Sequence, residues 1–212
     1  MCCRYLVDDS PELRPYIEAA NRSPLTVSMT ARLGKPLVVS GEVFPTNMAV
    51  TVAPGKDGTP RVFPMVWGFA APRSGAPLIN CRAETAGQKP LWKDAWNQRR
   101  CAVPIAWYFE WEHPAAPDGK AKKTGVKYRI RPREGGTAFL AGLYRFESAG
   151  DFRYPVFSVL TREPSEEIRF IHDRMPVIFT GEEAMGKWIG SEVPPEQTIL
   201  QAVTGLRFEK AE

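Results

Sequence analysis

Met1 followed by Cys2 is the first feature of this 212-residue chain that could do chemistry. A small residue after the initiator methionine permits its removal, which would leave a cysteine carrying a free α-amine and a thiol on adjacent carbons. An α-amine ordinarily titrates at about 7.7–8.0, so an appreciable fraction is neutral and nucleophilic at neutral pH. A thiol ordinarily titrates near ~8.5 and becomes a strong nucleophile when that value is lowered. The pair suits an aldehyde: the amine condenses to a Schiff base, the thiol adds to the same carbon, and a five-membered thiazolidine closes. Taken alone, the dipeptide reads more simply as a small buried cysteine in a first strand.

Three further segments carry groups that could serve such a reaction. Asn80-Cys81-Arg82-Ala83-Glu84-Thr85 holds an amide able to orient an amine or an aldehyde oxygen, and a guanidinium able to hold a phosphate. The plainer alternative is a turn with a surface salt bridge. In Trp107-Tyr108-Phe109-Glu110-Trp111, read as a strand, Trp107, Phe109 and Trp111 share one face and Glu110 lies opposite, beside Tyr108. A carboxylate among these aromatics is expected to be desolvated, with its pKa raised toward the range of a general acid/base; an edge-strand glutamate facing water is the alternative. In Ile171-His172-Asp173-Arg174-Met175-Pro176, His172 falls near the end of a short helix, where positive charge is favoured. A lone histidine there also suits a capping or core role. His113 is assigned to a loop.

The elements that must position these groups are mostly strands. Val126, Tyr128 and Ile130 alternate with Lys127, Arg129 and Arg131, the pattern of a half-buried strand. Further strands are expected at Leu37–Val39, Val62–Trp67, Ala138–Phe146 and Tyr154–Thr161. Helices are expected from Ser10 and Pro11, with Pro15 straining the interior; across Leu91, Trp92, Ala95 and Trp96; from Ser165–Glu167; and over the tail Pro194–Gly205. His113–Thr124 reads as a surface hairpin loop. Few βαβ units are apparent, so the expected fold is α+β, a mainly antiparallel, barrel-like sheet with flanking helices, in one domain over residues 1–212.

Composition narrows the function classes. Hydrophobic residues at 43% and charged residues at 25% suit a globular fold with a sizeable core. The net charge of +4 permits a polyanionic partner without demanding one. No apolar run approaches membrane-spanning length, and MCCRYLVDDS lacks a basic-then-apolar signal pattern, so a cytoplasmic protein is expected. The four cysteines form no CxxC pair and there are two histidines, which disfavours a zinc site; a reducing cytosol disfavours structural disulfides.

The stretches MCCRY (1–5), GEVFPTN (41–47), MVWGFAAP (65–72), INCRAET (79–85), RCAVPIAWYFEW (100–111), AGLYRF (141–146) and VLTREPSEEIRFIHDRMPVIF (159–179) occur together and in this order. In this set the sequence resembles the SOS-response-associated peptidase (SRAP) family, whose members shield abasic sites in single-stranded DNA. The resemblance implies that Cys2 crosslinks, Asn80 positions its amine and the sugar carbonyl, Glu110 shuttles protons, and His172 assists sugar-ring opening. It implies DNA-contacting roles for Arg4, Pro45, Trp67, Arg82 and Thr161, the last also supporting the site. It further implies self-removal of Met1, an abasic-lyase side activity, and the barrel fold expected above. No cofactor or metal is implied. The expected partner is single-stranded DNA with abasic sites, not a membrane, and the chain is expected to be monomeric. Cys3 departs from the family's usual glycine. Arg73-Ser74-Gly75 stands where some relatives carry a tryptophan pair, which shifts expected DNA affinity from stacking toward charge. Two competing readings are a peptidase acting on other proteins through Cys2 and His172, and a non-catalytic single-strand-binding module.

Overall fold

Apolar strands in the middle of the chain are buried on both faces, so they read as nearly continuous hydrophobic runs. The computed structural model of the protein describes residues 2–71, 75–112 and 125–211. Its strands are β1 (Tyr5–Val7), β2 (Gly41–Val43), β3 (Met48–Pro54), β4 (Pro60–Trp67), β5 (Asn80–Arg82), β6 (Arg100–Ile105), β7 (Trp107–Trp111), β8 (Lys127–Pro132), β9 (Ala138–Ala149), β10 (Phe152–Arg162), β11 (Met175–Pro176), β12 (Ile178–Thr180) and β13 (Leu206–Lys210). The helices are α1 (Arg14–Asn21), α2 (Pro24–Leu33), α3 (Ala83–Ala86), α4 (Pro90–Gln98), α5 (Gly181–Ile189) and α6 (Pro195–Ile199).

Five strands close on themselves in the order β3-β4-β10-β9-β6 and back to β3. Every pairing in that ring is antiparallel except β4–β10. Alternate residues of the ring serve two cores. Ala49, Met65, Trp67, Cys101, Val103, Leu140, Phe157 and Val159 join a cluster with Tyr5, Tyr108, Ile130 and Leu206 of a second sheet. Their neighbours Val50, Val66, Ala102, Phe139, Ala141 and Leu160 pack with the helical residues Met29, Trp92, Trp96 and Trp188. The second sheet is antiparallel in the order β13-β8-β7-β1-β2, so it carries the N-terminal strand between β2 and the glutamate-bearing β7. The α+β, barrel-based architecture is the one expected.

Several local expectations change. The first helix begins at Arg14, and Pro15 lies in its first turn, where the missing N–H has no helical partner to lose, so no interior strain arises. Leu37–Val39 is not a strand; Leu37 alone forms a parallel bridge to Met48. The helix expected from Ser165 is a single 3₁₀ turn, Glu166–Ile168. The expected tail helix is short α6, and the chain returns as β13 to cover the edge of β8. Helix α2 was not expected, although Ser23 accepts from the Leu25 N–H, Pro24 occupies its first turn, and Gly34 ends it with φ 66°. The loop expected at His113–Thr124 lies outside the described residues. Among the described residues no helix is long and apolar enough to cross a membrane.

Candidate active site

Strand pairing draws three sequence-distant groups to the N-terminal segment. β1 lies against β7, with Tyr5 opposite Tyr108 and the Phe109 N–H donating to the Arg4 carbonyl at 2.9 Å. Cys2 and Cys3 therefore run on beside the Glu110 end of β7. β5 lies parallel to β10, pairing Asn80 with Val159, and from there the Asn80 Nδ2 donates to the Cys2 carbonyl at 2.7 Å. Among the described residues no donor meets Asn80 Oδ1, which is buried.

Cys2 is fully buried, and its Sγ contacts the Arg4 carbonyl at 3.9 Å. Burial, reinforced by the nearby Glu110, pushes the Cys2 thiol well above its ordinary value. The thiol is therefore a neutral S–H at physiological pH, not the pKa-lowered thiolate that reactive cysteines usually present. Glu110 is only 2% exposed. Burial pushes its carboxyl up to about 7, and the nearby Asp173 adds to the rise. The alternation read from the sequence holds: Glu110 shares the inner side of β7 with Tyr108, while Trp107, Phe109 and Trp111 look the other way. Burial also raises the Tyr5 and Tyr108 hydroxyls, and both feel Cys2 electrostatically.

His172 lies on the loop that follows the 3₁₀ turn and is buried. Its Nδ1 is 3.0 Å from the Arg174 N–H and 2.7 Å from Asp173 Oδ1. One ring nitrogen cannot accept from an amide and donate to a carboxylate at once. Asp173 is largely in water, whereas the amide contact is buried, so in the neutral ring Nδ1 accepts from the Arg174 N–H. That places the ring proton on Nε2.

Arg174 and Glu84 form the strut that sequence reasoning missed. The Arg174 guanidinium makes two parallel 2.8 Å bonds to the Glu84 carboxylate and a third, 2.7 Å, to the Thr161 carbonyl. Partial burial opposes ionisation of Glu84, but the Arg174 hydrogen bonds prevail and hold its pKa below the usual value. The strut joins α3, the end of β10 and the histidine loop. Both residues sat inside stretches already singled out; nothing local says that they meet.

The expected DNA-contacting residues divide. Arg82 is exposed at the end of β5. Arg4 is part-exposed, ion-paired with Glu42 at 3.1 Å, and lies over the Phe44 and Trp111 rings. Pro45 is half-buried in the turn after β2, where the Thr46 N–H donates to the Trp67 carbonyl at 2.8 Å. Trp67 does not reach the surface. It is fully buried, stacks on Phe157 and donates its indole N–H to the Ile79 carbonyl, so it supports β5 from beneath instead of contacting DNA. Gly68 follows it with φ 116°, and a Cβ there would meet Pro77 at 2.7 Å. Thr161 is likewise fully buried and supports the site through Arg174 and the Cys81 carbonyl. All four cysteines are free thiols.

The whole described site falls inside one family match: residues 1–211 fit the model for SOS response associated peptidase (SRAP). The chain belongs to the SRAP family. Similar SRAP relatives include "Abasic site processing protein YobE" of Bacillus subtilis, 32% identical over 151 residues, 68% of this chain and 65% of YobE. "Abasic site processing protein YoqW" of the same organism is 30% identical over 173 residues, 76% of this chain and 73% of YoqW. "Abasic site processing protein HMCES" of Xenopus tropicalis is 30% identical over 135 residues, 57% of this chain and 40% of HMCES. The chain thus spans less than two thirds of YobE and of HMCES. The SRAP fold is also that of a crystal structure of a Bacteroides thetaiotaomicron protein, with TM-score 0.73 and 19% identity, covering 100% of this chain and 92% of that one.

Proposed function

We propose that this protein processes abasic sites in single-stranded DNA by covalent capture at Cys2 once Met1 has been removed. The observation that carries the reading is the meeting of Cys2, the Asn80 amide at 2.7 Å from its carbonyl, and a buried Glu110 whose carboxyl titrates at about 7. The names of these relatives also speak of abasic sites.

The α-amine of Cys2 attacks the C1′ aldehyde of the opened abasic sugar and gives a carbinolamine. Protonated Glu110 donates to the departing hydroxyl, water leaves, and the resulting iminium returns its N–H proton to the Glu110 carboxylate to give the imine. The Cys2 S–H then adds across the C=N bond: sulfur bonds to C1′, its proton passes by way of Glu110 to nitrogen, and the thiazolidine closes. A thiol held neutral by burial suits this addition, because the proton it surrenders stays within the site. Asn80 fixes Cys2 through its carbonyl and offers Oδ1 to the amine. His172, with its proton on Nε2, donates to the ring oxygen of the closed sugar. β-Elimination from the same imine supplies a lyase activity, and the site removes its own Met1. Exposed Arg82 and part-exposed Arg4 hold phosphates beside it.

Incubation with an oligonucleotide carrying one abasic site, followed by denaturing electrophoresis, tests the proposal. A shifted band that survives denaturation and is lost in Cys2→Ala is the expected result. A band that dissolves on denaturation would leave only a binding module, and cleavage of unrelated polypeptides without DNA capture would favour a peptidase.

A further inference from the structure

The outer side of the β13-β8-β7-β1-β2 sheet faces away from Glu110 and takes no part in the chemistry above. Paired strands set its residues in rows: Trp111 beside Lys127, Phe109 beside Arg129 and Glu209, and Arg131 beside Arg207. Trp107 extends the aromatic row on β7. Three guanidiniums, of Arg129, Arg131 and Arg207, converge on its ring at 5.0, 5.1 and 5.4 Å. Lys127 lies 4.2 Å from the centre of the Phe109 ring. Arg4 lies over Trp111 at 5.0 Å, two residues from Cys2, so the face begins at the edge of the candidate site.

Charge on this face is one-sided. It presents Arg4, Lys127, Arg129, Arg131 and Arg207 against Glu42 and Glu209, with Asp8 and Glu12 lining a pocket beside Arg131 at its edge. Glu42 is taken by Arg4 and Lys127, and Glu209 by Arg129 at 3.0 Å. Among the described residues, no ion pair neutralises Arg131 or Arg207. Like charges gathered round one indole repel each other, and a bound polyanion relieves that repulsion. A groove of about 400 Å³ runs between Leu6, Glu42, Phe109, Lys127, Arg129 and Lys210. Cationic side chains interleaved with aromatic rings along a groove fit one class of partner, a single nucleic-acid strand whose phosphates meet the guanidiniums and whose bases stack on rings or guanidinium planes.

We propose that this outer face is a second contact surface for the DNA strand that flanks the captured site, with Trp107, Arg131 and Arg207 at its far end. The inference rests on the abasic-DNA reading, but its test avoids Cys2 chemistry. Binding of intact single strands of about 4 and about 16 nucleotides is measured across a salt series. In Arg131→Glu/Arg207→Glu, affinity for the longer strand is expected to fall about tenfold or more and its salt slope to shrink by about 1.4, the value for two lost phosphate contacts. Arg131→Gln/Arg207→Gln, verified folded by thermal melting, is expected to give the same direction with a smaller loss. Long-strand affinity and slope unchanged in both folded variants would overturn the proposal. So would equal competition by polyglutamate of matched charge, which would mark a general anion or acidic-protein surface. Binding of intact long strands through this face, together with failure of an abasic oligonucleotide to form a denaturation-resistant adduct, would refute the Cys2 reading and leave this face standing.

Discussion

Glu110 is held where an ionised carboxylate is disfavoured, and this has consequences for stability as well as rate. Its folded pKa of about 7 exceeds an ordinary glutamate's, so between about pH 4.5 and 7 the folded protein keeps a proton that the unfolded chain releases. No penalty applies below that window; stability falls as pH rises through it, and the full cost, about 3 kcal/mol, is reached above it. Glu110→Gln should therefore raise stability at pH 8 by up to that amount and change it little at pH 4, as read by denaturant melts at both pH values. The same substitution should slow capture of abasic DNA by about 10²-fold or more, because Gln hydrogen-bonds without shuttling a proton. The wild-type capture rate should lose an acid limb titrating near 7 as pH rises, and a pH–rate profile that is unchanged in the variant would remove Glu110 from the proton path. Asn80→Ala should also slow capture, because the amide that fixes the Cys2 carbonyl is gone, while leaving the affinity for intact strands nearly unaltered.

At the scale of elements, the histidine loop has little regular structure of its own: one 3₁₀ turn and the two residues of β11. The Arg174–Glu84 pair anchors it to α3 and β10. Glu84→Gln would keep one hydrogen bond and lose the charge partner of a nearly buried guanidinium. Because Glu84 itself is about half-exposed, the cost is discounted to about 1–2 kcal/mol, a Tm lower by about 2–8 °C. Capture of abasic DNA should slow more than capture of a small open-chain aldehyde, since the loop positions His172, the proposed ring-opening acid. Equal slowing on both substrates would make the pair a general support of the fold.

For the molecule as a whole, DNA binding and DNA capture should separate. Cys2→Ala should abolish denaturation-resistant attachment while keeping salt-sensitive binding to intact single strands, because the exposed cations do not depend on the thiol. Single strands should be captured faster than duplex, since the aldehyde must reach a Cys2 that is fully buried and a paired sugar must first be extruded. Equal rates on fully paired DNA, compared by denaturing gels over time, would contradict this. The basic, aromatic outer side and the inner side that carries Glu110 are two faces of the same β1–β7 pairing, which is why one small sheet is proposed to serve both binding and capture.

Much of the site was legible as residue types. Period-two alternation in Trp107–Trp111 placed Glu110 opposite the three outward aromatics, and the strands at 126–131, 138–146 and 154–161 followed from their own apolar patterns. Local chemistry determines such features, because strand geometry alone sets which side chains share a face. Other features depended on partners far along the chain. That Trp67 and Thr161 are buried supports instead of DNA contacts follows from β4 and β5 both lying beside β10. The Arg174–Glu84 strut joins residues 90 positions apart. The elevated thiol of Cys2 reverses the ordinary expectation for a reactive cysteine, because solvent exposure is a property of the packed barrel. Sequence alone determined which groups could react; tertiary structure decided which were brought together and how far each was removed from water, since both desolvation and proximity come from long-range packing.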